Sequence, residues 1–136
     1  MGQFARLWPL ALAIMLGGLF VWGQSGARAA APSPGERAYQ KCYACHSLEG
    51  PDPDLQGPSL KGIVGRKVAS EPGFAYSPAM RGFAAKQTRW DRKALDAFIT
   101  DPQALVPGNR MGFFGIRDAG ERQALIAYLA SASPGD

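Results

Sequence analysis

The sequence has few of the features that mark several large classes of protein. It has no sustained period-two alternation of apolar residues, so a β-sheet is not supported. It has no basic run and no Lys/Arg stripe with interleaved aromatic residues, so nucleic-acid binding is not expected. It contains no evident pairing of a nucleophile with a base, so we do not expect a hydrolase or a transferase.

The first part of the chain has the pattern of a secretory signal. Arg6 precedes an apolar run over Leu7–Trp22, and small residues follow up to Ala29. The run is shorter than the roughly 20 residues of a spanning helix, and proline and glycine interrupt it. We therefore predict a cleaved signal over 1–29 and one domain over 30–136. An uncleaved membrane anchor is the alternative.

Export would place the chain in the periplasm. Free thiols in such an oxidising compartment would pair or be consumed unless another group claims them. Cleavage would remove Arg6 and Arg28 and no acidic residue, so the formal charge of +4 would fall by 2 to +2. These properties predict a soluble monomer with no stable membrane insertion.

Three segments have the periodicity and end signals of helices. Ser33 begins a capping box, which predicts a first helix over 34–42. Apolar stripes with helical spacing predict two more helices, over 91–101 and 119–132. The intervening segments, among them 73–82, are rich in proline and glycine and are predicted to be loops. The sequence thus predicts an all-α domain with about three main helices and long loops.

Both cysteines and the only histidine of the chain lie in Cys42-Tyr43-Ala44-Cys45-His46. Residues three apart on a helix share a face, so both sulfurs can reach the two vinyl groups at one edge of a porphyrin. His46 follows directly, and its imidazole would then lie beneath the iron. The motif predicts one haem c, covalently attached by Cys42 and Cys45, with His46 as an axial ligand.

Three other interpretations of the motif are weaker. A thioredoxin-like redox pair normally follows a strand in a βαβ unit, which is not indicated here. A zinc site needs four ligands, and the chain has no further cysteine or histidine. A disulfide between Cys42 and Cys45 would be strained and would leave His46 unexplained.

The second axial ligand is open at this level. A second histidine is excluded, which leaves methionine, lysine, tyrosine, water or an open site. Met80 and Met111 both lie in segments broken by proline or glycine, and either could present its thioether from a loop.

Further motifs along the chain are Gly35–Cys42, Gly57–Gly62, Gly65–Lys67, Gly73–Pro78, Trp90, Val106–Met111 and Leu125–Leu129. Together they resemble class I cytochromes c, most closely the soluble bacterial c2 and mitochondrial-type branch. The resemblance runs from about Pro34 to Leu129. It implies the class I fold, wrapped round one covalently bound haem.

The resemblance also implies the roles of single residues. Met111 would be the distal ligand, and the Pro58 carbonyl would accept the second ring N–H of His46. The residues that would hold the haem propionates are Arg66, Tyr76 and Trp90. Gly35 would let the first and last helices cross closely. Phe98 and Met80 stand where many relatives have tyrosine and a polar residue, which implies a drier distal pocket.

By the same resemblance the protein would be a one-electron carrier and not an enzyme, with haem cycling between Fe(III) and Fe(II). Its partners would be redox proteins: a quinol:cytochrome c reductase, a terminal oxidase, a photosynthetic reaction centre or a dehydrogenase. Lys41, Arg110 and Arg117 would lie on the docking rim, but Gln103, Ala104 and Asp118 replace bases found in relatives. We expect weak salt dependence. The alternative is a haem sensor or peroxidase-like protein in which Met111 is labile.

Overall fold

The computed structural model describes residues 30–132. The helices within this range are α1 (Pro34–Tyr39), α2 (Pro78–Ala84), α3 (Arg92–Thr100), α4 (Pro102–Leu105) and α5 (Ala119–Ala132). The β structure of the same range is one isolated antiparallel bridge, between Lys67 and Arg89. The all-α prediction is therefore confirmed, with α1, α3 and α5 at the predicted places.

Two earlier predictions concern other parts of the chain. The proposed signal over 1–29 lies outside the described residues, and so does the predicted stop after α5 at Ser133–Gly135. No helix between residues 30 and 132 has the length and hydropathy needed to span a bilayer.

Helix α1 begins as predicted and ends earlier than predicted. Oγ of Ser33 accepts from the Glu36 amide at 3.2 Å, and the Glu36 carboxylate accepts from the Ser33 amide at 2.6 Å. The regular helix stops at Tyr39 instead of continuing through Cys42. Beyond it the amide of Cys42 donates three residues back, to the Tyr39 carbonyl at 2.8 Å. This tightening gives a run of turns that carries the cysteines.

Helices α1 and α5 cross at Gly35. A Cβ on this glycine would lie 2.4 Å from Cβ of Tyr128 and 2.5 Å from the carbonyl oxygen of Ala124. The rings of Tyr39 and Tyr128 pack beside the crossing, with centroids 5.7 Å apart. The predicted close approach at Gly35 is confirmed, and it fixes α1 against α5.

Two short helices lie where the sequence predicted no helix. Part of the segment 73–82, predicted to be a loop, belongs to α2, and α4 follows α3 directly. Ser77 and Asp101 cap these helices by accepting from the amides three residues ahead, at 3.1 and 3.0 Å. A proline follows each cap and occupies the first helical position. The prediction was wrong because it took proline and glycine as signs of a loop and Asp101-Pro102 as the end of a helix, whereas a capping residue followed by proline also begins helices.

The segment after residue 111 is tied to α3 and α5 by one arginine. Nε of Arg122 in α5 lies 2.8 Å from the Asp96 carboxylate in α3. Its Nη1 donates to the carbonyls of Ile116 and Arg117 at 3.0 and 2.9 Å. The Ile116 amide donates to the Ile99 carbonyl at 2.9 Å. The chain that returns from Met111 therefore has a defined path to α5.

Candidate cofactor site

A cavity of about 570 Å³ opens between the turns after α1, the loop before α5 and the faces of α3 and α5. Its wall is mainly apolar, which suits a large apolar ligand. All eight predicted site residues line it: Cys42, Cys45, His46, Pro58, Arg66, Tyr76, Trp90 and Met111. The fold thus brings together residues up to 69 positions apart in the sequence.

The imidazole of His46 is held in one orientation. Its Nδ1 lies 2.7 Å from the Pro58 carbonyl oxygen. A carbonyl can only accept, so Nδ1 carries the proton and Nε2 keeps its lone pair. Burial lowers the pKa of His46, which favours the same neutral form. Nε2 is therefore in the state that a metal ligand requires.

Gly57 lies across the His46 ring, and the sequence analysis did not identify this role. A Cβ there would lie 2.3 Å from Cε1 of His46 and 2.7 Å from the carbonyl oxygen of Cys45. The Gly57 amide donates to that same carbonyl at 2.8 Å. Only glycine fits in this space, because any side chain would push the loop of Pro58 away from the imidazole. The available signal was the glycine directly before Pro58.

The two cysteines are not joined in a disulfide, which counts against the disulfide interpretation, and Cys42 is the less exposed. Burial raises the pKa of Cys42 to about 11, whereas a redox-active pair needs a lowered thiol pKa. Between residues 30 and 132 no group of three or more His, Cys, Asp or Glu side chains could hold a metal ion. The raised thiol pKa counts against the thioredoxin-like interpretation.

Met111 lies in a loop that is held through its main chain. The Met111 amide donates to Oδ1 of Asn109 at 2.9 Å. Asn109 is buried, and its Nδ2 donates to the carbonyls of Pro102 and Val106 at 2.8 and 2.9 Å. Nε2 of Gln103 donates to the carbonyls of Asn109 and Met111 at 3.1 and 3.4 Å. The sequence analysis missed both amide side chains as supports of this loop.

Met80 also lines the cavity, but it is placed differently. It belongs to α2 and not to a loop, and its amide donates to the Ser77 cap. Both candidate thioethers therefore reach the cavity wall, one from a helix and one from a loop with main-chain anchors.

Arg66 has donors committed to the protein and one donor without a partner. Its Nη2 donates to the Ser59 carbonyl at 2.6 Å, and its Nη1 donates to the Lys61 carbonyl at 3.0 Å and to Glu71 at 3.2 Å. Nε is buried and has no partner. A buried N–H of a guanidinium without an acceptor is costly, and a carboxylate of a bound ligand would satisfy it.

Tyr76 and Trp90 lie near this arginine on the cavity wall. The Tyr76 hydroxyl accepts from the Glu71 amide at 3.1 Å, so its own proton is free to donate. Burial raises the pKa of Tyr76, which keeps that proton in place. Trp90 is buried, and its ring packs against the rings of Phe83 and Phe98, with centroid distances of 5.8 and 5.0 Å. A cation, a hydroxyl and an indole therefore border the part of the cavity where an acidic ligand group would be satisfied.

A family model described as cytochrome c matches residues 32–133, nearly the whole described range. The chain belongs to the cytochrome c family. It is 36% identical over 117 residues to a cytochrome c2 from Rhodomicrobium vannielii, covering 86% of this chain and 91% of that protein.

Solved structures agree with this assignment. Cytochrome cH from Methylobacterium extorquens superposes with a TM-score of 0.65 at 37% identity, covering 72% of this chain and 95% of the other. Cytochrome c2 from Rhodospirillum centenum superposes with a TM-score of 0.64 at 30% identity, covering 76% and 100%. The predicted class I fold and the resemblance to the c2 branch are confirmed.

As a monohaem class I cytochrome c, the protein carries one covalently bound haem c, as predicted. The cavity fits this group on its own evidence. It has two thiols beside one histidine, a ring nitrogen free to coordinate, apolar walls, and the unpartnered Nε of Arg66 for an acidic substituent.

Proposed function

We propose that this cytochrome c carries single electrons in the periplasm and has no catalytic activity of its own. Its haem would be attached by Cys42 and Cys45, and its iron held by His46 and Met111. The observation that carries this proposal is the cavity wall itself. It gathers the only two cysteines, the only histidine with Nε2 free, and a methionine from an anchored loop.

The attachment follows from the number of thiols. Haem c is bound by thioethers, and the chain has two cysteines, both on the wall of this cavity. The two cysteines are three residues apart, and both lie in the turns that follow α1. His46 comes directly after Cys45. Tyr39 supports this segment, because its hydroxyl donates to the His46 carbonyl at 2.7 Å.

The ligands set what the bound group can do. Haem supplies a one-electron couple between ferric and ferrous iron, and a thioether opposite an imidazole favours the ferrous form. If His46 and Met111 both hold the iron, no coordination position would be left for a substrate. The three hydrogen bonds of Asn109 and the two from Gln103 hold the main chain of the Met111 loop beside the cavity, which favours a methionine ligand over an open site.

We place docking of redox partners at the edge of the cavity, beside the Met111 loop. Phe113 lines the cavity, and the next residue, Phe114, is 93% exposed. An exposed phenyl ring next to a cofactor is suited to an apolar contact with a partner. Reductases, oxidases, reaction centres and dehydrogenases are the classes of partner proposed.

Two of the three cations expected on the rim are paired within the protein, and the third, Arg110, is exposed and has no carboxylate partner among residues 30–132. Lys41 forms an ion pair with Glu121, and Arg117 lies 3.2 Å from the Asp101 carboxylate. Paired charges contribute little to long-range steering. The structure thus supports the expectation of weak salt dependence.

The sixth ligand can be tested with two matched variants. Met111→Ala should abolish the long-wavelength charge-transfer band of thioether-ligated ferric haem and lower the midpoint potential, while covalent haem is retained. Met80→Ala removes an equal side chain from the same cavity and should leave the band in place. Loss of the band in Met80→Ala and its retention in Met111→Ala would reverse the ligand assignment.

The function is tested by a redox titration followed by mixing with membranes of the source organism. One reversible one-electron transition and turnover with its reductase and oxidase are expected. A transition that requires two electrons, or iron that binds peroxide while Met111 is intact, would contradict a simple carrier. N-terminal sequencing of the exported protein tests the location, and a start at or next to Ala30 is expected.

A further inference from the structure

Glu71 is an acidic residue that the proposed function does not yet use. Its side chain is only 7% exposed, and its Oε2 lies 3.2 Å from Nη1 of Arg66. Its main-chain amide donates to the Tyr76 hydroxyl at 3.1 Å. Glu71 therefore contacts two of the three residues proposed to hold the haem propionates, and it does so from outside the cofactor cavity.

Arg66 separates two spaces. On one side it lines the cofactor cavity, and on the other it lines an outer cleft of about 540 Å³. Glu71 lines only the outer cleft, together with Lys61 and Arg89. One guanidinium thus lies between a protein carboxylate in the outer cleft and the cavity proposed to hold the cofactor.

The division of this charge has a physical consequence. Nη1 of Arg66 is engaged by Glu71, and Nε is buried without a partner. A guanidinium neutralised by one carboxylate stabilises a second one less, because the field of the pair is weaker than that of the cation alone. The carboxylate of Glu71 also adds a poorly hydrated negative charge close to the site.

We propose that Glu71 is a positioning residue that lowers the reduction potential of this cytochrome c through Arg66. The inference rests on the proposed function. The ferric state carries one more positive charge than the ferrous state, so a buried negative charge nearby stabilises it. Glu71 also engages Nη1 of the guanidinium, which holds Arg66 in one position at the edge of the cofactor cavity.

The other charges of the outer cleft oppose this effect and limit its size. Lys61 is exposed, and Arg89 is exposed with Nη1 donating to the Gly65 carbonyl at 2.7 Å. Solvent screens both cations more than it screens the buried pair. The net effect of Glu71 is therefore still to lower the reduction potential.

The test is a spectroscopic redox titration of the holoprotein and its variants. Glu71→Gln should raise the ferrous to ferric ratio at a fixed applied potential about tenfold, which is 59 mV for one electron. Glu71→Asp keeps the charge and should shift the ratio by less than threefold. Arg66→Lys weakens the neutralisation of the propionates and should shift the potential in the opposite direction.

Asp54→Asn is the matched control, because it removes one negative charge from an exposed position outside the lining of both spaces. At the same applied potential, the ferrous to ferric ratio of this variant should stay within twofold of the ratio in the parent protein. An unchanged or lowered potential in Glu71→Gln, with haem content and the thioether band intact, would overturn the proposal. Failure of the proposed function would look different, since the parent protein itself would then show no reversible one-electron transition.

Discussion

The two segments that carry the proposed iron ligands are built in different ways. His46 is fixed directly, since its ring donates to Pro58 at 2.7 Å and Gly57 lies against its face. Met111 is fixed indirectly, through hydrogen bonds of its main chain to two amide side chains, Asn109 and Gln103. The imidazole therefore has little freedom within the folded chain, whereas the thioether has the freedom of its own side-chain rotations.

This difference suggests a division of labour between the two sides. In the proposed arrangement a confined imidazole beside two covalent attachments would keep the cofactor in the chain, and a flexible side chain on an anchored loop would complete the coordination. Damage to the His46 side should therefore reduce loading with haem. Damage to the Met111 side should leave haem attached and alter its spectrum and potential.

The largest effect is expected from Gly57→Ala. The added Cβ would overlap the His46 ring at 2.3 Å, so the loop must move and Pro58 must lose its hydrogen bond with the ring. The yield of protein with covalent haem should fall at least tenfold, as measured by absorbance per mass of chain.

Gly82→Ala is the matched control. A Cβ at Gly82, in α2, has no atom within 4 Å, the residue has no positive φ, and it lies outside the lining of the cavity. Yield and spectrum should match those of the parent. A normal yield in Gly57→Ala would show that the imidazole is less tightly confined than the comparison holds.

A smaller effect is expected from Asn109→Ala. The variant leaves the Met111 amide without its acceptor and removes one of two donors from each of the Pro102 and Val106 carbonyls, which should lower the free energy of unfolding by about 1–3 kcal/mol. Haem should stay attached while the thioether band weakens, as measured by denaturant titration and absorption of the ferric form. Gln103→Ala removes longer bonds at an exposed position and should cost less than about 1 kcal/mol. An equal loss in both variants would contradict the leading role of Asn109.

The smallest effect is expected from salt. Of the three cations beside the two segments, Lys41 and Arg117 are engaged by carboxylates, and only Arg110 has no carboxylate partner in the described part of the chain. Partner turnover should change less than threefold between low and physiological ionic strength, and Phe114→Ala should slow it more than salt does. A steep decline with salt would show that unpaired charge governs docking.

The chemistry of the site could be predicted from the sequence because it depends on residue types in a short motif. Cys42, Cys45 and His46 lie within five residues of one another, and the chain has no other cysteine or histidine. Pro58 and Arg66 are ordinary residues on their own, and only the resemblance to a family singled them out.

Residues whose roles depend on contacts between distant segments could not be predicted from the sequence. Gly57 matters because of the ring that it faces, and Asn109 because three main-chain groups converge on it. The position of Glu71 outside the cavity is likewise a property of the folded chain. The short helices α2 and α4 were missed for a local reason, since a proline after a capping residue can end a helix or begin one.

The most direct test of the central claim is a mass measurement of the exported protein, expressed with haem available and treated with a thiol-alkylating reagent before digestion. The peptide that contains residues 42–46 should be heavier by one haem and carry no alkyl group. A colourless protein whose Cys42 and Cys45 are both alkylated would contradict the account.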